Sequence, residues 1–335
     1  MPVSRTQQFR AILTEAESDH DVLTQTASLC HLGHTLAWLG DTAGALAAAT
    51  AAVEAAAEFG GVLEGLAYSP LAVASLAAGD VAAAAAASAV ATDRLSAQPG
   101  LRVVSIVNPT ADIALARGEV TEARRRADEG VAVAVGGGMA MALTTRTRVA
   151  VAQGESEQAE RDAREALAVA AAVDAHLATP DALECLAGVV GAAGSHREAA
   201  RLYGAADAVR QATGIVRFKV YDDGYVASVN DIRDALGHND FDAAWAEGAA
   251  LSTLEAIAYA RRGHSDRKRP TSEWDALTPT EHDVVRLVTE GLANKDIVAR
   301  LFVSPRTVQS HLTHIYNKLD VSSRVQLVQQ AARHS

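Results

Sequence analysis

The chain has 335 residues, of which 49% are hydrophobic and 4% aromatic, and its formal net charge is −11. This length allows two or more domains, whereas so few aromatic residues disfavour a stacking platform for single-stranded nucleic acid. The charge is divided unevenly, because residues 261–335 carry a net charge of +4 and residues 1–260 a net charge of −15. The division predicts a basic C-terminal module beside an acidic body that DNA would repel.

The N-terminal ten residues are polar and contain no apolar core typical of a signal peptide. We take residues 131–143 as the longest apolar segment of the sequence. Three glycines interrupt it, and it is too short to span a membrane. Two cysteines far apart in sequence, Cys30 and Cys185, favour reduced thiols. We therefore expect a cytoplasmic protein without a membrane partner.

A repeat occupies the first two-thirds of the chain. A glycine followed by an acidic or small polar residue recurs at spacings of 39, 39, 36 and 40 residues, at Gly40, Gly79, Gly118, Gly154 and Gly194. An alanine follows each glycine by five positions: Ala45, Ala84, Ala123, Ala159 and Ala199. We expect the glycine to end one helix, the next residue to cap the following helix, and the alanine to let the paired helices approach closely.

This period and placement of small residues resemble tetratricopeptide repeats, although most aromatic positions of that family are missing. The resemblance predicts an all-α fold in which residues 1–213 form a tetratricopeptide-like helical solenoid. Residues 214–260 change in character, and we interpret them as the helical cap of this solenoid. The concave face of such a solenoid is used to hold a peptide, a protein or a small molecule, and all three remain open here.

Several side-chain groups in this body are candidate sites. Cys30, His31 and His34 could place ligands on one side of a helix, but no fourth ligand is in view and we expect no metal site. A run of arginines at residues 124–126 could face an acidic partner, and a solvated helix face is the favoured interpretation. The sequence contains no phosphate loop, nucleophile elbow or zinc-protease motif, so we expect neither a cofactor nor enzyme activity.

Residues 261–273 are basic, contain Gly and Pro, and show no apolar periodicity, which predicts a flexible linker that can also touch phosphates.

Residues 274–335 are predicted to form short helices. The segment Thr278-Pro279-Thr280-Glu281 is a capping box with Pro at the first helical position. The helix that it starts is expected to stop at Gly291, and a second helix to run from about Asn294 to Leu301.

A third helix is predicted to begin at Ser304-Pro305. Val308, Leu312, Ile315 and Leu319 recur on it at intervals of 4, 3 and 4 residues and should face the core. The opposite face is small and polar, as a recognition helix in a DNA major groove requires. Candidate base-reading residues are Arg306, Gln309, Ser310, Thr313 and Asn317, of which Arg306 suits guanine and Gln309 suits adenine. Candidate phosphate contacts are Lys295, Thr307, Tyr316, Lys318 and Arg324.

Together these residues resemble the LuxR-type helix-turn-helix. The resemblance rests on the motifs Leu277-Thr278-Pro279 with Glu281, Glu290-Gly291-Leu292 with Asn294-Lys295, Ser304-Pro305-Arg306-Thr307-Val308, His311-Leu312, Asn317-Lys318-Leu319 and Ser323-Arg324. It implies a four-helix domain that binds duplex DNA as a dimer and regulates transcription, with the last helix, through Val325, Val328 and Ala332, serving dimerisation. Two positions depart from the family pattern: Gln309 replaces a common Lys and His282 a common Arg.

Residues 202–210, 241–248 and 254–258 also resemble the region before the DNA-binding domain in large ATP-dependent LuxR-family regulators. Those relatives usually carry an ATPase domain upstream, for which this sequence has no signature. We expect a cytoplasmic, nucleoid-associated regulator that binds operator DNA as a homodimer, contacts RNA polymerase, and senses an unknown effector or protein through its repeats. The alternative is a helical-repeat adaptor with a weak or vestigial DNA-binding module.

Overall fold

The computed structural model of the chain divides into two compact units, Met1–Arg261 and Arg262–Ser335. Most of the predicted linker lies outside the residues that the structure describes. Those residues are 2–96, 109–173, 177–262, 277, 279–301, 308, 309, 312, 315, 316, 319, 321 and 323–334.

Every regular element within the described residues is helical, which confirms the predicted all-α fold. Within the described residues of the first unit, the α-helices are α1 Pro2–Asp19, α2 Val22–Trp38, α3 Thr42–Ala56, α4 Gly61–Ala78, α5 Val81–Ser96, α6 Thr110–Ala116, α7 Val120–Val133, α8 Gly137–Ala152, α9 Ser156–Ala172, α10 Thr179–Ala192, α11 His196–Thr213, α12 Asp222–Leu236, α13 His238–Ala249 and α14 Thr253–Arg261. A short 3-10 helix spans Lys219–Tyr221. In the second unit, the helices with defined bounds are α15 Pro279–Thr289, α16 Asn294–Leu301 and α17 Arg324–His334.

The five predicted repeats are five pairs of packed helices, from α2 with α3 to α10 with α11. Each repeat glycine has a left-handed backbone, with φ between 75° and 86°, which glycine adopts without steric cost. The residue after each glycine donates its backbone N–H to the carbonyl five residues earlier at 2.9–3.0 Å, as in a Schellman motif. All five repeat alanines have 0% exposure, so a methyl group sits at each close approach of the paired helices.

The predicted helix caps are realised by side chains only where the residue after the glycine is aspartate. Asp41 accepts from the Gly44 N–H, and Asp80 accepts from the Ala83 N–H, both at 2.9 Å. At the equivalent positions Glu119, Glu155 and Ser195 make no such bond. The glutamates instead pair with arginines, since Glu119 contacts Arg117 at 3.0 Å and Glu155 contacts Arg124.

The longest apolar segment is not the one we expected from the sequence. Residues 131–143 are split between α7 and α8 by a turn at Gly136, whose φ is 54°. Helix α4, by contrast, is long and apolar enough to cross a membrane by length and composition alone, and 56% of its residues are buried. It packs against α2, α3 and α5, as a central helix of the repeat core does.

After α11 the chain turns back across the repeats instead of continuing their stack. We call residues 215–221 the strap. Its Val216 N–H donates to the Trp38 carbonyl at 2.9 Å, and the Phe218 ring centroid lies 4.6 Å from that of Trp38. At its other end the Tyr221 hydroxyl donates to Asp112 Oδ1 at 2.7 Å. The strap therefore joins the end of the last repeat to the first and third repeats.

Helices α13 and α14 cover the last repeat, in the region predicted as the cap. Phe241 is buried and packs against Trp245, with ring centroids 5.5 Å apart. Helix α13 approaches α11 so closely that a Cβ atom on Gly248 would lie 1.8 Å from the Arg201 carbonyl oxygen. A Cβ atom on Gly204 would lie 2.1 Å from the Trp245 carbonyl oxygen. The contact between the two helices therefore requires glycine on both sides.

The second unit has its own apolar core. Val308, Leu312, Ile315 and Leu319 are buried, as their spacing predicted. Val284, Leu287 and Ile297 are buried with them, and Leu301 is half-buried and packs against the same core. Helix α15 ends as expected, because Gly291 has φ 86° and Leu292 donates to the Leu287 carbonyl at 3.1 Å. Leu327 and Ala331 bring α17 onto this core.

Candidate nucleic-acid interface

The predicted recognition segment places its apolar stripe inside the second unit. The described positions 308, 309, 312, 315 and 316 are helical. Val308 and Ile315 have 0% exposure and Leu312 has 3%. Gln309 is exposed beside buried Val308, so the amide lies on the outer side of this segment, where it was predicted. The other predicted base-reading residues, Arg306, Ser310, Thr313 and Asn317, lie outside the described residues.

The predicted phosphate contacts differ in their surroundings. Lys295 is exposed in the first turn of α16, while Tyr316 is half-buried and packs against the core. Arg324 is held within the protein, since its Nη1 donates to Asn294 Oδ1 at 3.1 Å and its Nη2 donates to the Leu292 carbonyl. Thr307 and Lys318 lie outside the described residues.

Asn294 lies between Arg324 and the recognition segment. Its Nδ2 group is 3.5 Å from Gln309 Oε1, at the outer limit for a hydrogen bond. The oxygen and nitrogen atoms of one amide thus link the start of α17 to the exposed face of the recognition segment. The sequence did not reveal the contacts among Arg324, Asn294 and Gln309, and it predicted only a phosphate contact for Arg324.

The candidate dimerisation residues lie on α17. Val328 is half-buried and packs against the core of its own unit, beside buried Leu327. The side chains of Val325 and Ala332 lie outside the described residues. Helix α17 therefore uses Leu327 and Ala331 to hold the unit together and leaves Val328 at the border of that contact.

The other candidate groups of the sequence have partners within the first unit. Arg125 pairs with Glu122 and with Glu129, at 2.5 and 2.6 Å, as a solvated helix face does. Burial raises the pKa of Cys30 to about 11 and disfavours the thiolate that metals bind. Within the described residues, no group of three or more His, Cys, Asp or Glu side chains is placed to hold a metal ion.

A buried ionic network that joins the strap to the repeats was not predicted from the sequence. It consists of Asp112, Arg148, Asp181, Glu184, Arg210 and Arg217. Arg148 contacts Asp181 at 2.6 Å, and Arg217 contacts Glu184 at 2.7 Å. Burial would raise the pKa of Asp181, but Arg148 and Arg210 outweigh it and hold this pKa below its usual value. Three positive and three negative groups compensate one another, as buried charges must.

Known proteins share the pattern of the second unit. Residues 275–331 match the family described as "Bacterial regulatory proteins, luxR family". Residues 275–331 therefore form a helix-turn-helix domain of the LuxR family, as the motifs between Leu277 and Arg324 indicated.

Relatives extend the similarity to nearly the whole chain. Over 324 residues, 97% of this chain, it is 54% identical to Mb0914c of Mycobacterium bovis and to Rv0890c of Mycobacterium tuberculosis, both assigned as HTH-type transcriptional regulators. The chain spans 36% of the length of these two relatives. It is also 36% identical over 83 residues to the oxygen regulatory protein NreC of Staphylococcus haemolyticus, across 25% of this chain and 38% of that protein.

Proposed function

We propose that the protein is a transcriptional regulator that binds duplex DNA sequence-specifically through residues 304–319 and catalyses no reaction. The observation that carries the proposal is the exposed Gln309 amide on a segment whose Val308, Leu312 and Ile315 are buried, in a domain of the LuxR family. A helix seated in this way can enter a major groove, where each base pair presents a distinct set of donors and acceptors.

In this proposal the polar face reads bases. Gln309 bonds to an adenine edge and Arg306 to a guanine edge, with Ser310, Thr313 and Asn317 beside them. Lys295, exposed at the start of α16, contacts phosphate together with Thr307, Tyr316 and Lys318, which fixes the register of the domain on the duplex. We assign Arg324 a different role from the one expected, because its guanidinium already bonds to Asn294 and Leu292: it supports the side chain that neighbours Gln309.

The regulator is proposed to bind as a homodimer on two half-sites, with α17 contributing Val325, Val328 and Ala332 to the contact between copies. DNA binding in a bacterial cell places it in the cytoplasm at the nucleoid, with RNA polymerase as a partner. The first unit serves as the sensor, since its paired helices form a repeat array of the kind that presents an extended binding surface.

Sequencing of genomic duplex fragments bound by the protein tests this function. We expect enrichment of a shared motif and a steep decrease of log K with log salt, because neutralised phosphates release counterions. Gln309→Ala should reduce the enrichment and leave the salt slope unchanged. Weak binding with no enriched sequence, unaffected by Gln309→Ala, would favour the adaptor and overturn the proposal.

A further inference from the structure

A cavity of about 100 Å³ lies inside the first unit, between the repeats and the strap. Aromatic and apolar side chains form much of its wall: Trp38, Leu76, Met141, Phe218 and Tyr221. The strap supplies Phe218 and Tyr221, and α2 supplies Trp38. An enclosed apolar cavity of about 150 Å³ admits benzene. A cavity of about 100 Å³ that is partly open to solvent therefore accommodates a molecule of at most one ring.

The charged groups on the cavity wall are already paired with one another. Arg148 contacts Asp181 at 2.6 Å and Asp112 at 3.5 Å. The Tyr221 hydroxyl donates to Asp112, and Arg126 donates to Glu122 at 2.8 Å. An ion entering this space would lose its hydration without meeting an uncompensated partner among the described residues. The wall therefore favours an uncharged molecule.

The His34 side chain on the cavity wall has a ring nitrogen without a hydrogen-bond partner among the described residues. The Nδ1 atom of His34 lies 3.0 Å from the Cys30 carbonyl oxygen. A carbonyl only accepts hydrogen bonds, so Nδ1 carries the proton and Nε2 of the neutral ring is an acceptor. Nε2 is buried and has no hydrogen-bond partner within the described residues. Burial lowers the pKa of His34 to about 4, so the ring stays neutral near pH 7.

We propose that this cavity binds a small uncharged molecule that has an apolar body of about one ring and one O–H or N–H group, which donates to His34 Nε2. The inference rests on the sensing role in the proposed function and supplies its site and ligand class. Because Tyr221 is followed directly by α12, a ligand against the strap contacts the segment that leads from the repeats to the last helices of the unit.

Phenol and toluene test the proposal as a matched pair of probes on the full chain, since they share size and shape and only phenol donates a hydrogen bond. Binding is measured by thermal shift and by saturation-transfer NMR. We expect phenol to bind saturably and about tenfold more tightly than toluene, because toluene leaves the hydrogen bond to His34 unmade. Benzoate, which carries a charge, should not compete with phenol.

His34→Leu should remove the preference for phenol, whereas His31→Leu should retain it. His31 lies on the same helix and bonds through Nδ1 to the Ala27 carbonyl, but it is exposed. If His34→Leu does not fold, Ala142→Leu provides a second variant, because Ala142 lines the cavity and the larger side chain should block both probes.

Equal binding of phenol and toluene to the natural chain, or an unchanged preference in His34→Leu, would overturn the proposed site. So would the absence of saturable binding, which would leave a space filled by water alone. Motif enrichment on genomic DNA is measured on the same preparation. Failed enrichment with retained phenol binding would count against the DNA-binding function, and retained enrichment without phenol binding would count against the cavity alone.

Discussion

The Arg324 guanidinium donates to the side-chain oxygen of Asn294 at 3.1 Å, across 30 residues of sequence. A second bond from Arg324 reaches the Leu292 carbonyl, so the guanidinium bridges the turn before α16 and the start of α17. The amide nitrogen of Asn294 is in turn 3.5 Å from Gln309. A residue of the last helix thereby stabilises the neighbour of a proposed base-reading side chain.

Arg324→Lys separates this supporting role from a phosphate contact. Lysine keeps the positive charge but lacks the planar fork that reaches two acceptors. We expect discrimination between the selected motif and a single-base variant of it to fall by about tenfold, with an unchanged slope of log K against log salt. Titrations at several salt concentrations measure both. Full retention of discrimination by the lysine variant would show that Arg324 acts through its charge on phosphate.

Lys295→Ala is the complementary change. Lys295 is exposed at the start of α16, and a phosphate contact contributes about 0.9 to the salt slope. We expect the magnitude of that slope to decrease by about one unit, with affinity reduced to a similar degree for all sequences. Arg300→Ala, an exposed cation near the other end of α16, is the control. If Lys295→Ala and Arg300→Ala change the slope of log K against log salt equally, Lys295 has no specific role in the phosphate contact.

Gly248→Ala tests the close contact between α13 and α11. The added methyl group would lie 1.8 Å from the Arg201 carbonyl oxygen, so the backbones must separate. We expect the free energy of unfolding to fall by about 3 kcal/mol. Gly224→Ala is the control, because a Cβ atom there meets nothing within 4 Å, and alanine in a helix should stabilise by about 0.5–1 kcal/mol. Urea unfolding measures both changes. If the free energy of unfolding changes in the same direction in the two variants, this packing is contradicted.

His34 should make the stability of the first unit depend on pH. Its pKa is lowered from 6.5 to about 4 by burial, so between these values the unfolded chain binds a proton that the folded chain does not. This contribution to stability is fully present above pH 6.5 and is lost as the pH falls towards 4, about 3 kcal/mol in total. Urea unfolding across this range measures it. His34→Leu should remove this component and His31→Leu should retain it; an identical pH dependence in both variants would contradict the burial of His34.

The sequence sufficed for those features that leave a local pattern. Each repeat turn needs a glycine at positive φ and an alanine at a helix contact, so Gly40 and Ala45 already predicted the first pair. The same holds for the stripe from Val308 to Leu319, whose spacing requires one buried helix face. The assignment of that stripe to a DNA-binding domain came from motif resemblance, with which the family match agrees.

Contacts between distant residues left no such pattern. Tyr221 bonds to Asp112 across 109 residues, and Arg148 bonds to Asp181 across 33 residues. The periodicity of a single helix therefore reveals neither pair. Arg324 was predicted as a phosphate contact from its charge, whereas its bonds to the Leu292 carbonyl and the Asn294 side chain left no pattern in the sequence. The apolar helix α4 was overlooked because its serines and its proline interrupt an apolar run without interrupting the helix.

Base reading by the polar face of residues 304–319 is tested by selection from a random duplex library. The sequence that the full chain selects is compared with the sequences that Gln309→Ala and Arg306→Ala select. We expect the natural chain to select two half-sites about 10 base pairs apart, or a multiple of that distance. Gln309→Ala should lose the preference at one position of each half-site, and Arg306→Ala should lose specific binding with helical content intact. Identical motifs from all three proteins would contradict the proposed reading of bases by this face.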